Sequence, residues 1–241
     1  MKRILGKLIG ILMILVIMAG TLLAGYGYYI ADKVRDEVIR EKPLEEAVSA
    51  YTEKEGYLTY EAIDPDFVNA VVAVEDKRYF ERDGYDFIAL ARAIYNNLRY
   101  GNLIEGGSTI PEQIAKNLYF GTADRELDEK LAGILIMHDL EEKYTDEELF
   151  ALYANMNYYG DGYYGLKNAA EGYYGLSASD LSLAKAAMLA GLPNAPSAYQ
   201  LSTGYEYAKK RQKKVLQCML NNEYISEQEY NEALNEDVRP I

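Results

Sequence analysis

Residues 64–75, DPDFVNAVVAVE, contain the signals that decide how this chain folds. Asp64 is a residue type that caps helix N-termini, and Pro65 suits the first helical position, where its missing N–H costs no hydrogen bond. The apolar residues that follow recur at the spacing of one helix face: Phe67, Val71 and Val74. The stretch therefore predicts a helix that begins after Asp64 and ends near Glu75.

Similar signals recur through the rest of the chain, so we predict a single all-α domain. Thr109 and Glu112 form a capping-box pattern that opens a helix through Tyr119, and Thr145 and Glu148 repeat the pattern. Further helices are expected after an Asp86 cap, at 124–144, near 179–191 and near 204–221. Loops are expected around 83–84, at 106–107 and at 158–165, where the sequence is YYGDGYYG. No alternating run of useful length predicts a strand.

Residues 8–30, LIGILMILVIMAGTLLAGYGYYI, carry no charge. A helix rising about 1.5 Å per residue over this length spans a hydrocarbon core of about 30 Å. Basic residues and no acid precede the stretch, which places the N-terminus in the cytoplasm and the remainder outside. A cleaved signal peptide is the alternative, but the stretch is long for one and lacks a small-x-small site at its end. We expect a cytoplasmic 1–7, a transmembrane anchor 8–30, a charged helical stalk 31–56 and a domain 57–241.

The overall composition excludes several classes of protein. The chain has 38 acidic and 25 basic residues and a formal net charge of −13, which argues against a partner nucleic acid. A single cysteine and a single histidine exclude an internal disulfide and every multi-histidine or multi-cysteine metal site. Tyrosines outnumber phenylalanines by 24 to 5, and polar-tipped aromatic rings suit contacts with sugars.

An acidic pair such as Glu75-Asp76 is ordinarily a solvated helix end. Here it opens the first of four blocks: EDKRYFERDGYD from Glu75, GGSTIPEQIAKN from Gly106, LEEKYTDEELFALYANMNYYGDGYYG from Leu140 and RQKKVL from Arg211. In this order and spacing the blocks resemble the peptidoglycan glycosyltransferases of family 51. The similarity is strongest to the monofunctional, membrane-anchored transglycosylases, and it runs from about residue 57 to the C-terminus.

The resemblance implies both a fold and a reaction. The fold would be a lysozyme-like all-α domain with a small membrane-facing lobe. The reaction would join lipid II units outside the bacterial membrane into a β-1,4 glycan, with inversion and loss of undecaprenyl pyrophosphate. The implied partners are lipid II, the nascent glycan strand, the membrane and other proteins of cell-wall synthesis. A divalent cation such as Mg²⁺ or Mn²⁺ would suit the pyrophosphate, although no metal-ligand motif in the sequence requires a metal cofactor.

The resemblance also assigns roles to residues. A sugar hydroxyl needs a general base to become a good nucleophile, and Glu75 matches the family's catalytic glutamate, with Asp76 holding its orientation. A leaving pyrophosphate needs cations and N–H groups, and Ser108 and Thr109 begin a helix whose N-terminus suits an anion. The other positions expected to bind substrate are Gln113, Lys116, Asn117, Lys130, Tyr153, Asn155 and Arg211.

The chain departs from the family pattern in all three N-terminal motifs. Tyr79 and Arg82 replace a phenylalanine and a histidine, and Pro111 and Glu112 replace a threonine and a glutamine. Most important, Gly133 stands where the third motif, RKxxE, has a second essential glutamate.

Glu129, one helical turn before Gly133, either reaches the same groove or is solvated. The missing carboxylate leaves two further hypotheses besides polymerisation. One is a catalytically impaired member that binds lipid II or glycan as a scaffold. The other is a lysozyme-like enzyme that cleaves finished glycan, although the membrane anchor and the GGST block argue against cleavage.

Three further features are interpreted as structural. Ser182 and Lys185 match the SxxK motif of transpeptidases, but no SDN or KTG partner follows. His138 falls on the apolar face of its predicted helix and is expected to be a hydrogen-bonded core histidine. Cys218 is expected to be a small buried apolar residue.

Overall fold

The structure is a computed structural model that describes residues 2–82, 108–121 and 126–241. The helix predicted after Asp86 and the loops predicted around 83–84 and at 106–107 lie outside these ranges. Within them the chain is helical, and the pairing of Tyr158 with Tyr164 is an isolated bridge in the 158–165 loop. The all-α prediction is confirmed for the described residues.

The helices follow one another with short connections. In chain order they are α1 Lys2–Glu41, α2 Leu44–Thr52, a 3₁₀ turn Tyr60–Ala62, α3 Pro65–Glu75, α4 Ile110–Tyr119, α5 Leu127–Lys143, α6 Asp146–Met156, α7 Leu166–Tyr174, α8 Leu183–Gly191, a 3₁₀ turn Leu192–Asn194, α9 Pro196–Tyr199, α10 Tyr205–Asn221 and α11 Glu227–Asn235.

The helix starts predicted at Asp64, Thr109 and Thr145 are those that the structure shows, whereas the helix predicted over 124–144 begins at Leu127 and the one predicted near 179–191 begins at Leu183. The Asp64 carboxylate accepts a hydrogen bond of 2.9 Å from the Asp66 N–H, with proline in the first turn of α3. At α6 the Thr145 hydroxyl accepts from the Glu148 N–H, and the Glu148 carboxylate accepts from the Thr145 N–H. These caps are local in sequence, so they form wherever the helix is placed.

Helix α1 contains the predicted anchor and continues beyond it. By length and hydropathy, Ile9–Glu41 contains a segment able to cross a membrane, with a mean hydropathy of 2.3 in its most apolar window. The segment expected to be a stalk, 31–56, is helical, as its charge pattern predicts. Its buried residues pack on the domain: Ala31 in α1, and Leu44, Ala47 and Val48 in α2. The boundaries of the domains themselves stay a prediction.

The core places α3 at the centre of the domain. Helix α3 packs against α8 and α10, while α4 lies between α5 and α6. Phe67 of α3 and Phe150 of α6 are fully buried, with ring centroids 6.3 Å apart in an edge-to-face arrangement. This packing carries the C-terminal end of α3, and with it Glu75, to the place where α4 and α10 approach each other.

Three features that sequence analysis interpreted as structural have different outcomes. The prediction for His138 is wrong, because its side chain is 62% exposed and lies 3.3 Å from Glu142. Cys218 is half-buried against the core, and burial raises the pKa of its thiol. Ser182 caps α8 by accepting from the Lys185 N–H, so the SxxK pattern has a structural explanation.

Candidate active site

Glu75 is the last residue of α3, and both of its carboxylate oxygens are engaged. Oε1 accepts a hydrogen bond of 2.7 Å from a terminal nitrogen of Arg211, and Oε2 accepts one of 3.1 Å from the Gln113 amide. The Glu75 side chain is 17% exposed, so it opens to the surface at one edge only. The structure therefore brings three of the expected site residues together from α3, α4 and α10.

Arg211 is set in place by the packing of its aliphatic stem. A Cβ added at Gly191, the last residue of α8, would lie 2.9 Å from the Arg211 Cγ, so the stem fits only because Gly191 has no side chain. The Arg211 side chain is 10% exposed. Its Nε atom is buried and has no hydrogen-bond partner among the described residues.

Tyr153 forms a neutral floor next to this pair. Its ring is buried, and burial raises the pKa of its phenol well above the usual value, with the nearby Glu75 charge adding to the effect. The Tyr153 carbonyl accepts from the Asn157 amide at 3.0 Å, and the Asn157 oxygen accepts from Asn117 at 3.3 Å. Asn117 and Tyr153 are thus joined through Asn157, a residue that the motif analysis did not single out.

Asp76 faces away from Glu75 and belongs to a buried ion network. One carboxylate oxygen, Oδ2, accepts from Arg82 at 2.9 Å and from the Ile110 N–H at 3.3 Å. The other end of the Arg82 guanidinium lies 2.9 Å from Glu141 of α5. The side chains of Asp76, Arg82 and Glu141 are 3%, 9% and 12% exposed. Asp76 therefore ties α3 to α4 and α5, and it contributes to the site by holding the backbone that carries Glu75.

The N-terminus of α4, expected to receive pyrophosphate, already holds an anion. Its first N–H, that of Ile110, donates to Asp76; Pro111 has none, and the Glu112 N–H donates to the Thr109 hydroxyl. The Gln113 N–H donates to the Thr109 carbonyl, and the Ser108 hydroxyl donates to the Glu112 carboxylate at 3.4 Å. Ser108 and Thr109 thus complete the helix cap, and the N–H groups of Ile110, Glu112 and Gln113 are already bonded within the described residues.

The other expected binding residues divide into two groups. Lys116 lies one turn after Gln113 on α4, and it is half-buried. Asn155, in contrast, uses its amide to bond the Leu58 backbone N–H and carbonyl, which fixes the segment before α3. Lys130 is exposed on α5 and makes no ion pair with any described residue. The Asn155 side chain bonds to Leu58 and Ala151, away from Glu75.

One face of α5 points at this site, and Gly133 lies on it. The Thr109 hydroxyl donates to the Met137 sulfur at 3.5 Å, and Glu141 forms an ion pair with Arg82. Gly133 is buried and one turn before Met137 on the same face. Glu129 is a further turn away, and its carboxylate accepts from the Glu126 N–H at 3.1 Å. Glu129 therefore helps to cap α5.

Sequence reasoning missed Glu141 and Asn157. Both lie inside the third block, LEEKYTDEELFALYANMN, but the bonds that bring them into the site join residues 40 and 59 positions apart, which local spacing does not reveal. Within the described residues no group of three or more His, Cys, Asp or Glu side chains could hold a metal ion.

Comparison with known proteins agrees with this geometry. The sequence pattern of the family described as Transglycosylase matches residues 40–220. A protein of Cupriavidus necator, named as a predicted transglycosylase, is 37% identical, with 99% of each chain aligned. Penicillin-binding protein 1A of Neisseria lactamica is 41% identical over 70% of this chain and 21% of its own length. Penicillin-binding protein 1A of Aquifex aeolicus is 38% identical over 76% of this chain and 25% of its own length.

The chain therefore spans about a fifth to a quarter of these penicillin-binding proteins. Among solved structures, penicillin-binding protein 1A of Haemophilus influenzae aligns with 56% of this chain and 17% of its own length. The aligned residues are 28% identical, and the TM-score is 0.39. The assignment rests on the sequence matches. An apolar N-terminal helix followed by an all-α, lysozyme-like domain defines the class of protein. The chain belongs to the transglycosylase family, the peptidoglycan glycosyltransferases of family 51, which polymerise glycan in peptidoglycan synthesis.

Proposed function

We propose that this protein polymerises lipid II into β-1,4 glycan strands and releases undecaprenyl pyrophosphate, with Glu75 as the general base. The observation that carries the proposal is the position of Glu75: a carboxylate at the end of α3, fixed by Gln113 and Arg211 and open to the surface at one edge. This displacement needs only a base and a cation, so it requires no covalent intermediate between the substrate and the protein.

The reaction transfers one proton and exchanges one C–O bond for another. The 4-hydroxyl of the acceptor sugar gives its proton to Glu75 while its oxygen bonds to the anomeric carbon of the donor. The bond from that carbon to the pyrophosphate oxygen breaks, and the undecaprenyl pyrophosphate leaves with the electron pair. Attack from the face opposite the leaving group inverts the anomeric centre.

Cations on two helices suit the charge that develops on the leaving group. Arg211 from α10 is next to Glu75, and Lys116 lies one turn beyond Gln113 on α4. Phosphate oxygens are bound well by arginine because its planar guanidinium offers several donors in a fixed geometry. The chain as a whole carries a net charge of −13, so a lipid-linked pyrophosphate has to be attracted by these local cations.

We further propose a single-pass topology with a cytoplasmic N-terminus and the domain outside the cell membrane. The apolar stretch of α1 and the basic residues before it support this arrangement. It places the domain on the same side as nascent glycan, where the other proteins of cell-wall synthesis act.

A second candidate function is a catalytically impaired member that binds lipid II or glycan as a scaffold. The specific observation is Gly133, a buried glycine on the α5 face that points at the site, where the family has a glutamate. The Glu129 carboxylate caps α5.

The decisive experiment is polymerisation of lipid II by the purified full-length protein in detergent, with the products separated on a gel. We expect glycan chains from the wild type and none from Glu75→Gln, which removes the base with little change in volume. Glu171→Gln is the matched control, since it makes the same charge change at an exposed position of α7.

Polymerisation by Glu75→Gln at the wild-type rate would show that Glu75 is not the base. An inactive wild type that still binds lipid II would support the scaffold function. Digestion of finished glycan in place of polymerisation would support a lysozyme-like enzyme.

A further inference from the structure

One guanidinium in this site has two possible anionic partners. In the structure Arg211 pairs with Glu75 at 2.7 Å, and the two side chains are 10% and 17% exposed. The proposed reaction requires the same cation for the leaving pyrophosphate. A phosphate held by both Nε and the terminal nitrogen that now binds Glu75 would compete with Glu75 for that terminal nitrogen.

The pair opposes the proton transfer that the reaction needs. When Glu75 takes the proton of the acceptor hydroxyl, it loses the negative charge that attracts Arg211. If Arg211 is still paired with Glu75 at that moment, the attraction between the two side chains is lost, and this loss opposes the proton transfer. In a partly buried site this cost is larger than on an open surface, because water screens the charges less. Departure of Arg211 from Oε1 removes this cost, while Gln113 still holds Oε2.

We propose that Arg211 is a positioning residue that restrains Glu75 in the unliganded protein and moves to the donor's pyrophosphate when the donor binds. This inference rests on the proposed function and adds its regulation: the base becomes fully available only when a pyrophosphate occupies the site. Donor binding then precedes activation of the acceptor hydroxyl.

The Arg211 Nε atom gives the exchange a starting point. It is a buried N–H donor with no partner among the described residues, although the terminal nitrogen of the same guanidinium is bonded to Glu75. A buried donor without a partner costs free energy, and an arriving phosphate oxygen would satisfy it. A pyrophosphate carries more negative charge than one carboxylate, and it can take both nitrogens of the fork.

Gln113 keeps Glu75 oriented after the exchange. Its amide binds Oε2, whereas Arg211 binds Oε1, so the loss of Arg211 frees one oxygen and leaves the other held. The neutral floor of Tyr153 supplies no competing charge. The freed Oε1 is the atom that would accept the proton.

The test is a double-mutant cycle with inorganic pyrophosphate as the probe, measured by titration calorimetry on the full-length protein in detergent. If Glu75 competes for Arg211, Glu75→Gln binds pyrophosphate about tenfold more tightly than the wild type, which corresponds to about 1.4 kcal/mol. Arg211→Gln binds it more weakly, and the double variant binds it no better than Arg211→Gln. A gain in affinity on removal of Glu75 that persists without Arg211 would reflect repulsion between Glu75 and pyrophosphate, not competition for Arg211.

Two further variants separate competition from general electrostatics and misfolding. Glu171→Gln makes the same charge change away from the site and is expected to leave the affinity unchanged. Gly191→Ala displaces the Arg211 stem without altering any charge, and it should weaken pyrophosphate binding. Near-UV circular dichroism and thermal unfolding confirm that each variant is folded.

The inference is overturned if Glu75→Gln and the wild type bind pyrophosphate equally, or if Glu171→Gln tightens binding as much as Glu75→Gln does. It is also overturned if the double variant keeps the gain. Pyrophosphate binding does not depend on glycan synthesis. If Glu75→Gln binds pyrophosphate more tightly as expected but the wild type does not polymerise lipid II, only the proposed function is refuted. If the wild type polymerises lipid II but Glu75→Gln gains no affinity, only the exchange of Arg211 between the two anions is refuted.

Discussion

Arg82 is a single cation between two buried carboxylates, Asp76 and Glu141. Arg82→Met keeps much of the volume and removes the charge, which leaves two buried anions facing each other. We expect a loss of about 3–5 kcal/mol in the free energy of unfolding, measured by urea denaturation in detergent. The control is Arg239→Met, whose pair with Asp237 is exposed and screened by water, so its loss should change stability little. Equal losses in both variants would mean that the Arg82 network is not buried as described.

Glu141 predicts a dependence of stability on pH. Burial raises the pKa of its carboxyl above 4.5, although Arg82 acts in the opposite direction. A carboxyl with a raised pKa in the folded state binds its proton more tightly than in the unfolded state, so its contribution to stability is full below pH 4.5 and falls as the pH rises through the folded pKa. The wild type should therefore lose unfolding free energy relative to Glu141→Gln as the pH rises from 4 to 7.

Chemical denaturation of both proteins across that range measures the effect. The difference between wild type and Glu141→Gln would stay constant with pH if burial did not shift this group. A difference that grew in favour of the wild type with rising pH would mean that Arg82 dominates.

At the scale of single elements, two glycines of the 158–165 loop differ in what surrounds them. Gly162 and Gly165 both have positive φ angles, 85° and 81°, but only Gly165 has a close neighbour, the Asn155 carbonyl oxygen 2.9 Å from an added Cβ. Gly162→Ala should cost about 1–2 kcal/mol from backbone strain. Gly165→Ala should cost about 1–3 kcal/mol more, because α7 starts there and the loop cannot move away from α6. Thermal unfolding of the two variants gives the difference, and equal costs would rule out the close approach.

Helix α5 predicts how activity depends on Gly133. Gly133→Glu places a carboxylate on the face that carries Met137 and Glu141, and it should raise lipid II polymerisation if the missing acid limits the rate. Glu129→Gln should have little effect on rate, since a glutamine can still accept from the Glu126 N–H in the helix cap. A loss of rate in Glu129→Gln with no gain in Gly133→Glu would show that Glu129 supplies the charge.

The helices themselves could be predicted from sequence because their start signals are local. Asp64, Thr109 and Thr145 each bond an N–H two or three residues away, and each was identified from spacing alone. Which face of a helix is buried depends on the helices that pack against it, and these can lie far away in the sequence. His138 was placed in the core because its apolar neighbours on α5 share its face, but α5 packs against α1 and α4 with other residues.

The site divides in the same way. Glu75, Gln113 and Arg211 could be predicted because motif blocks marked them, and the structure joins them. Asp76, in contrast, accepts hydrogen bonds from Arg82 and from the N-terminus of α4. These contacts depend on how three helices pack together, which the spacing of residues in the sequence does not indicate.

For the whole molecule, the decisive prediction is its topology. We expect N-terminal sequencing of the mature protein to begin before residue 8, and protease added to intact cells that lack an outer barrier to digest the 57–241 domain. A mature chain beginning beyond Ile30 would contradict the anchor. A domain that is protected until the membrane is dissolved would contradict the orientation.

Helix α1 runs without interruption from Lys2 to Glu41, and its C-terminal part packs on α5. Gly27 lies against Leu131, Ala31 is buried, and Arg35 lies 3.8 Å from Asp139. Beyond the apolar stretch the helix rises roughly 16 Å at about 1.5 Å per residue, with no hinge between span and domain. A glycan strand fixed in the wall would pull on the domain as it grows. A continuous helix would pass that load directly to the bilayer as drag, so Glu75 would keep a fixed distance from the end of the apolar stretch while the protein moves along the membrane.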